Sequence, residues 1–557
     1  MNLNANERFA LSPTIGIDRS RFSMEPEVKT SFNVSELVPL YWQEILPGDT
    51  FEIKTAMAVR MQPLVSAPMD NLHLTLTWMF IPNRLVWDHW KEFMGENTQS
   101  AWIPTTEYTV PQVGFYGGCT PYSVADYLGL PTMNQLGDDR SRYYDVSVLP
   151  FRAYTLCYNE WWRNQNLQDP AMLHTDDTYR ICPYPNQGGD LDYDNPIQSA
   201  EFGGKLFKVT KSADYFTKAL PGPQKHEDIY LMEKLPVYFG EGRSLAEVSE
   251  EHKARTSNIG YAASSGADLT NYVSQSWTGN HTYAQPLNWF VDGNLTISAL
   301  RTAFQIQKLY EADSRGGSRY VEQLKQHFHV NASDQSLQRP QFLGSKSIPI
   351  NINSVIQTSE TGNTPQGNIA GYSITSHGTR NSDFIQSFTE HGILMCFAYA
   401  RIDEHTYQNG IHKSWSRKNR LDYYYPVLSN LSEMPIKNRE LFTVGHLIGS
   451  GNTDNSTDDE VFGYQEAWAE YRYAPSYVTS EMRSNVTNSL DSWHFADDYQ
   501  TLPSLSSSWI EETKENVDRT LAVSSSVSNQ LFGDFKFYIK ATRPMPMYSI
   551  PGWVDHH

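Results

Sequence analysis

Three stretches of the chain alternate apolar and polar positions with period two, the signature of half-buried β-strands. In NLHLTLTWMFIP, Leu72, Leu74, Leu76, Trp78 and Phe80 share one face, while His73, Thr75 and Thr77 share the other. After the turn residues Pro47, Gly48 and Asp49, Phe51, Ile53, Met57, Val59 and Met61 alternate with Glu52, Lys54 and Arg60. Near the C-terminus, Phe535, Phe537, Ile539 and Ala541 alternate with Lys536, Tyr538, Lys540 and Thr542. The run EHGILMCFAYARI (390–402) is apolar almost throughout, as a strand covered on both faces is. Antiparallel strands dispersed from one end of the chain to the other predict a mainly-β sandwich closed over long excursions, not a βαβ fold.

Two segments change to helical spacing. LPFRAYTLCYNEWWRNQN places Pro150 in a first turn and sets Ala153, Leu156, Cys157, Glu160 and Trp161 on one face. TISALRTAFQIQKLYEADSRGG spaces Leu300, Ala303, Phe304 and Gln307 helically and ends at Gly316-Gly317, a left-handed stop. Both are expected as insertions packed on the outside of the sandwich. From His226 to Pro286 the chain is polar, rich in Gly, Ser and Asn, and weakly patterned; so is GSGNTDNSTDDE (449–460). Segments of that length and character inside a folded chain are usually functional or mobile.

Composition narrows the possibilities. Of 557 residues, 63 are acidic and 44 basic, for a net charge of −19. Such a chain is no general nucleic-acid binder, because phosphate contacts need clustered Lys and Arg. Any contact must be local or come from a basic partner. The 33 tyrosines and 14 tryptophans suit surfaces that are buried on one side and wet on the other. Cys119, Cys157, Cys182 and Cys396 share no CxxC spacing, so neither zinc nor a disulfide framework is expected. The first residues lack the apolar core of a signal peptide, and no run approaches the roughly 18 apolar residues of a membrane span.

Four stretches carry candidate chemistry. Asp88-His89, within WDHW, could be an acid–base dyad, although sequence neighbours seldom point at one proton; packing is the alternative. Asp555-His556-His557 resembles a metal cluster without a spaced third ligand. Asp454–Glu460 is acidic but lacks the glycine and alternation of a calcium loop. In HKSWSRKNRLDYYYP (412–426), Lys413, Arg417, Lys418 and Arg420 surround Trp415 and precede Tyr423, Tyr424 and Tyr425. Cations for phosphates beside rings for bases suit single-stranded nucleic acid. An aromatic-locked surface loop fits the same residues.

Several long stretches resemble, in order, the major capsid protein of the microviruses, small tailless single-stranded DNA phages, and above all their gokushovirus branch. They are PGDTF (47–51), FIPNRLVWDHWKEFMGE (80–96), LPFRAYTLCYNEWWRNQNLQDP (149–170), DYFTKALPGPQK (214–225), LRTAFQIQKLYEADSRGGSRYVEQLKQHF (300–328), LQRPQFLGS (337–345), FGYQEAWAEYRYAPS (462–476) and TRPMPMYSIPGWVDHH (542–557). The resemblance implies an eight-stranded antiparallel viral jelly roll over 1–225 and 287–557, with long loop insertions and a few helices. It implies sixty copies in a T=1 shell assembled in the bacterial cytoplasm, with no enzymatic activity, cofactor or membrane insertion. Residues 226–286 then form a variable protrusion at each three-fold axis, with Tyr230, Tyr238, Phe239, Tyr261, Tyr272 and Trp277 as its aromatic positions. Trp87, Trp90, Phe93 and Trp553 become anchors between subunits. The implied partners are further copies of the chain, the single-stranded DNA genome, a small basic DNA-binding protein, an internal scaffolding protein, a minor DNA pilot protein and a host-surface receptor. Lys413, Trp415, Arg417, Lys418 and Arg420 are then local DNA contacts. A carbohydrate-binding β-sandwich is the competing reading; it needs exposed aromatics gathered on one face, whereas here they spread along the chain.

Overall fold

The computed structural model describes residues 18–98, 106–116, 118–132, 143–182, 199–226, 297–317, 319–356, 358, 369–378, 381–445 and 457–548. The chain divides into two units, Met1–Pro223 with Asp313–His557, and Gln224–Ala312. The described residues of the first unit build two facing antiparallel sheets.

In one sheet, β18 (Leu531–Arg543) has β4 (Thr50–Met61) on one side and, end to end on the other, β1 (Ser20–Met24) and β2 (Glu27–Phe32). The far edge of β4 is shared by β11 (Ile369–His377) and β12 (Phe384–Ser387), and β10 (Ile352–Ile356) lies outside β11. The second sheet runs β3 (Val38–Ile45), β13 (Gly392–Ile402), β5 (Leu72–Pro82), β9 (Gln341–Pro349). With β1 and β2 taken as one broken strand, β11 and β12 as another, and β10 set aside as an added edge strand paired to β11, eight strand positions result. In chain order the first sheet reads first, eighth, third, sixth, and the second reads second, seventh, fourth, fifth. That is a jelly roll. Every connection crosses between sheets except β5 to β9, and there the longest insertion sits.

The sequence pattern explains the sandwich. β4 and β18 alternate buried and partly open residues along their length, so each offers one apolar face inward. Trp78 of β5 is central, with ring centroids 5.6 Å from Phe384, 5.5 Å from Phe537 and 6.2 Å from Tyr41. Its indole N–H donates to Asp383 at 3.3 Å. Each such ring pair contributes about 0.5–1.5 kcal/mol beyond the area it buries. The turn expected at 47–49 forms: Gly48 has φ +90°, and the Asp49 carboxylate accepts the Leu46 N–H at 2.9 Å.

The two outer faces differ. β13 is buried on both sides, as its continuous apolar run predicts. β5 is buried on both sides too, which its alternation does not predict. Thr75 and Thr77 are covered and satisfy their hydroxyls on Ser347 and Ser345 of β9, each at 3.1 Å. The cover is the insertion after β5. Its helix Leu149–Cys157 stacks Tyr154 on Phe397 of β13, and Trp162 of the following π-turn packs there as well. This helix lies outside the sandwich as expected, but it is buried nearly all round instead of on one face. The second helix runs Ile297–Gly316 and is followed by Gly317 at φ +91°, the expected left-handed stop.

Smaller sheets organise the insertions. β6 (Gln112–Tyr116) lies between β7 (Tyr143–Ser147) and β8 (Arg180–Cys182). Between β13 and β18, β14 (Thr406–Tyr407) pairs with β17 (Ser476–Tyr477), and β15 (Glu433–Lys437) pairs with β16 (Val461–Glu466). A second apolar core joins Tyr215 and Phe216 of the first insertion to Tyr407, Ile436, Phe462 and Trp509 of the second.

Candidate functional site

The WDHW segment follows β5 and turns back on itself. Trp87 is fully buried and donates its indole N–H to Asp177. Its ring meets Trp90 at 6.2 Å and Phe93 at 5.3 Å. Asp88 and His89 do not form a dyad. Asp88 is exposed and accepts the Thr175 hydroxyl at 2.8 Å, whereas His89 sits 2.8 Å from Asp177 and stacks on Tyr108. Neighbouring side chains leave this irregular backbone in different directions. The expectation of Trp87 as an intersubunit anchor needs correcting, because it has no surface left to offer a neighbour. Trp90 is half-buried and Phe93 exposed, so only these two present aromatic surface.

The 412–426 stretch forms three short 3-10 turns, Lys413–Ser416, Arg420–Asp422 and Pro426–Leu428. It is dominated by exposed apolar groups: Trp415 is 84% exposed, Leu421 71% and Val427 91%. Arg417 is not a free cation. Its guanidinium lies between Tyr423 and Tyr471 and pairs with buried Glu470 at 3.2 Å. Arg420 lies over Tyr425, and Lys413 reaches the Pro435 carbonyl at 3.4 Å. Lys418 is exposed, but Asp422 sits within the same turn, accepting its backbone N–H at 2.8 Å. The spacing of positive charge suggested a phosphate track, yet folding spends part of that charge on local partners.

One charged constellation has no trace in sequence spacing. His405 is fully buried, with Nε2 3.2 Å from Glu512 and Nδ1 3.5 Å from Asp497. Lys211 reaches Asp497 at 3.1 Å and the Tyr499 hydroxyl at 3.2 Å. Glu512 also accepts the N–H of Ile402, the last residue of β13. Burial alone would push His405 down, but Glu512 and Asp497 outweigh it and raise its pKa to about 10. Burial would likewise raise Asp497, yet Lys211 and His405 hold it well below the usual carboxylate range. Two cations against two carboxylates make a neutral cluster that ties both insertions to the end of a core strand.

Other candidates resolve simply. Asp458 caps the backbone of Val444 and Gly445, and Asp459 pairs with Lys437 and Arg439, so these acids serve local structure. No group of three or more potential metal-ligating side chains occurs among the described residues. Cys119, Cys157 and Cys396 are buried, and Cys157 and Cys396 are free thiols. Tyr230, Tyr238, Phe239, Tyr261, Tyr272, Trp277, Asp454, Trp553, Asp555, His556 and His557 lie outside the described residues, as does the side chain of Cys182. No helix among the described residues is long and apolar enough to cross a membrane.

An eight-position jelly roll with long insertions and exposed aromatic surface is the architecture of a viral shell subunit. Residues 10–553 match the family described as capsid protein (F protein) of phages, and the chain belongs to that family. It is 35% identical to capsid protein VP1 of Chlamydia phage 1 over 98% of this chain and 97% of that protein. It is likewise 35% identical to capsid protein VP1 of Bdellovibrio phage phiMH2K, with the same coverage. Capsid protein VP1 of Spiroplasma virus 4 is 36% identical over 96% of this chain and 95% of its own length. This is a microvirus-type major capsid protein, a structural component of the virion.

Proposed function

We propose that sixty copies of this chain close into a T=1 icosahedral shell around a circular single-stranded DNA genome, and that residues 226–286 contribute to host attachment. The observation that carries this reading is a set of large apolar side chains exposed close together in sequence on the insertions. Trp415, Leu421 and Val427 on one insertion, and Phe93 on the other, are exposed large apolar groups that contact between copies would cover. Trp90 and Phe93 serve as aromatic anchors between copies. A separate small basic protein meets most of the genome's charge, since a chain of net charge −19 cannot.

Particles recovered from a host carrying the phage genome test the reading. Nuclease-treated particles should retain circular single-stranded DNA. Replacing residues 256–283 by a short Gly-Ser linker should preserve particles but reduce adsorption to host cells. Empty shells that never protect DNA would refute genome enclosure. Undiminished adsorption would place attachment elsewhere.

A further inference from the structure

Among the described residues, the outward positions of β4 and β18, on the outer face of the seven-stranded sheet, stay partly open, unlike those of β5 and β13. At one end of this face, Arg21 of β1, Lys54 of β4 and Lys540 of β18 converge on a single carboxylate, Glu52, at 3.5, 3.7 and 4.0 Å. Three cations around one carboxylate leave a local surplus in a chain that is acidic overall. Farther along the face the charges balance, with Lys536 paired to Glu25 and Lys29 to Glu27. Along β18, Lys536, Tyr538 and Lys540 point to the same side, about 6.8 Å apart in sequence order. Tyr538 stands directly opposite Lys54, and the Lys536 ammonium lies 5.1 Å from its ring. Thr50 and Thr542 face each other at the same end and offer hydroxyls.

We propose that this end of the sheet's outer face binds single-stranded DNA, with Arg21, Lys54 and Lys540 on phosphates and Tyr538 stacked against a base. The inference rests on the proposed shell reading and gives its nucleic-acid contact a location different from 412–425. The ion pairs holding the cations are partly exposed and long, at 3.5–4.0 Å, and therefore modest, so phosphates can compete with Glu52 for them. Cation, ring, cation along one strand is what sequence-independent single-strand binding uses. Hydroxyls beside the cations supply the neutral donors that commonly accompany phosphate contacts. A binding surface on paired strands is also rigid, which the 412–426 turns are not required to be.

Binding of a fluorescent oligodeoxythymidine to the purified full-length chain, titrated with salt, tests this. The double variant Lys54→Glu with Lys540→Glu should weaken binding at least tenfold and lower the log–log salt slope by about 1.4, two phosphates' worth for a single strand. Tyr538→Ala should weaken binding roughly fivefold or more with the slope unchanged. Should the reversal variant melt abnormally, Lys54→Gln with Lys540→Gln reads the same slope. Unchanged affinity and slope would overturn the inference. So would a loss that instead follows Lys418→Glu with Arg420→Glu. If reversal blocks particle formation without nucleic acid present, the face is a contact between copies and the proposal fails. Particles that form and package DNA normally despite the reversal overturn this inference alone. A wild-type chain that forms no particles overturns the shell reading instead, and the oligonucleotide titration still decides the sheet face.

Discussion

Trp87 and Trp90 are three residues apart and have opposite fates. Trp87 fills the interior beside Asp177, whereas Trp90 keeps part of its ring open and meets His391 at 5.7 Å. Trp87→Ala should therefore destabilise the isolated subunit by about 3–5 kcal/mol, the usual cost of an emptied aromatic site. Denaturant unfolding of unassembled protein checks this; a normal midpoint with failed assembly would mean the ring acts between copies after all. Arg417 carries a similar lesson. Read from sequence, it is one cation among four; in the fold its side chain is 8% exposed and paired with Glu470. Composition reports how many charges a segment has, but the partners that consume them come from elsewhere in the chain.

At the scale of elements, four of the eight jelly-roll strands, β4, β5, β13 and β18, were legible, and their surroundings were not. Periodicity marks β4 and β18 correctly because each has one covered face and one open face. It misreads β5, whose Thr75 and Thr77 look solvent-facing until the insertion after β5 is placed over them. Period two records which residues differ along a strand, not what lies above it. The helix Leu149–Cys157 shows the same limit, since buried Arg152 and Thr155 break any apolar stripe. Arg152 is tolerated because it donates to the carbonyls of Val86 and Asp176 at 3.2 and 2.9 Å. The turns at 412–428 permit a direct assay of an element's role. Replacing Trp415, Leu421 and Val427 together by Ser should leave the subunit's stability within about 1.5 kcal/mol of normal, about 0.5 kcal/mol for each surface change. Particle yield should fall sharply. Normal yield would remove these turns from the contact surface.

At the scale of the whole molecule, the cluster of Lys211, His405, Asp497 and Glu512 couples the two insertions to the jelly roll. No spacing rule could find it, because its members come from distant positions and converge only in the fold. Its protonation makes stability depend on pH in a definite direction. Asp497 is depressed when folded, so its contribution is present above about pH 4 and is lost as pH falls below that. His405 is raised to about 10 when folded, so its contribution is complete below about pH 6.5 and is lost as pH rises toward 10. Stability from this cluster should therefore plateau between about pH 4 and 6.5 and decline on the alkaline side. His405→Leu should cost about 3–5 kcal/mol at the plateau by leaving buried carboxylates unmatched. It should also flatten the alkaline limb relative to the parent protein, which a pH series of urea midpoints would show. A limb of unchanged slope would locate the titrating group elsewhere.

Many copies of this chain are proposed to close into one shell. Mass photometry of particles purified from the host, with negative-stain images of the same sample, decides whether they do. Sixty copies of a 63.6 kDa chain should give uniform icosahedral particles with about 3.8 MDa of capsid protein, a closed assembly of a single symmetric type. Protein recovered only as monomers or small open oligomers, at every concentration and in the presence of the other phage proteins, would contradict it.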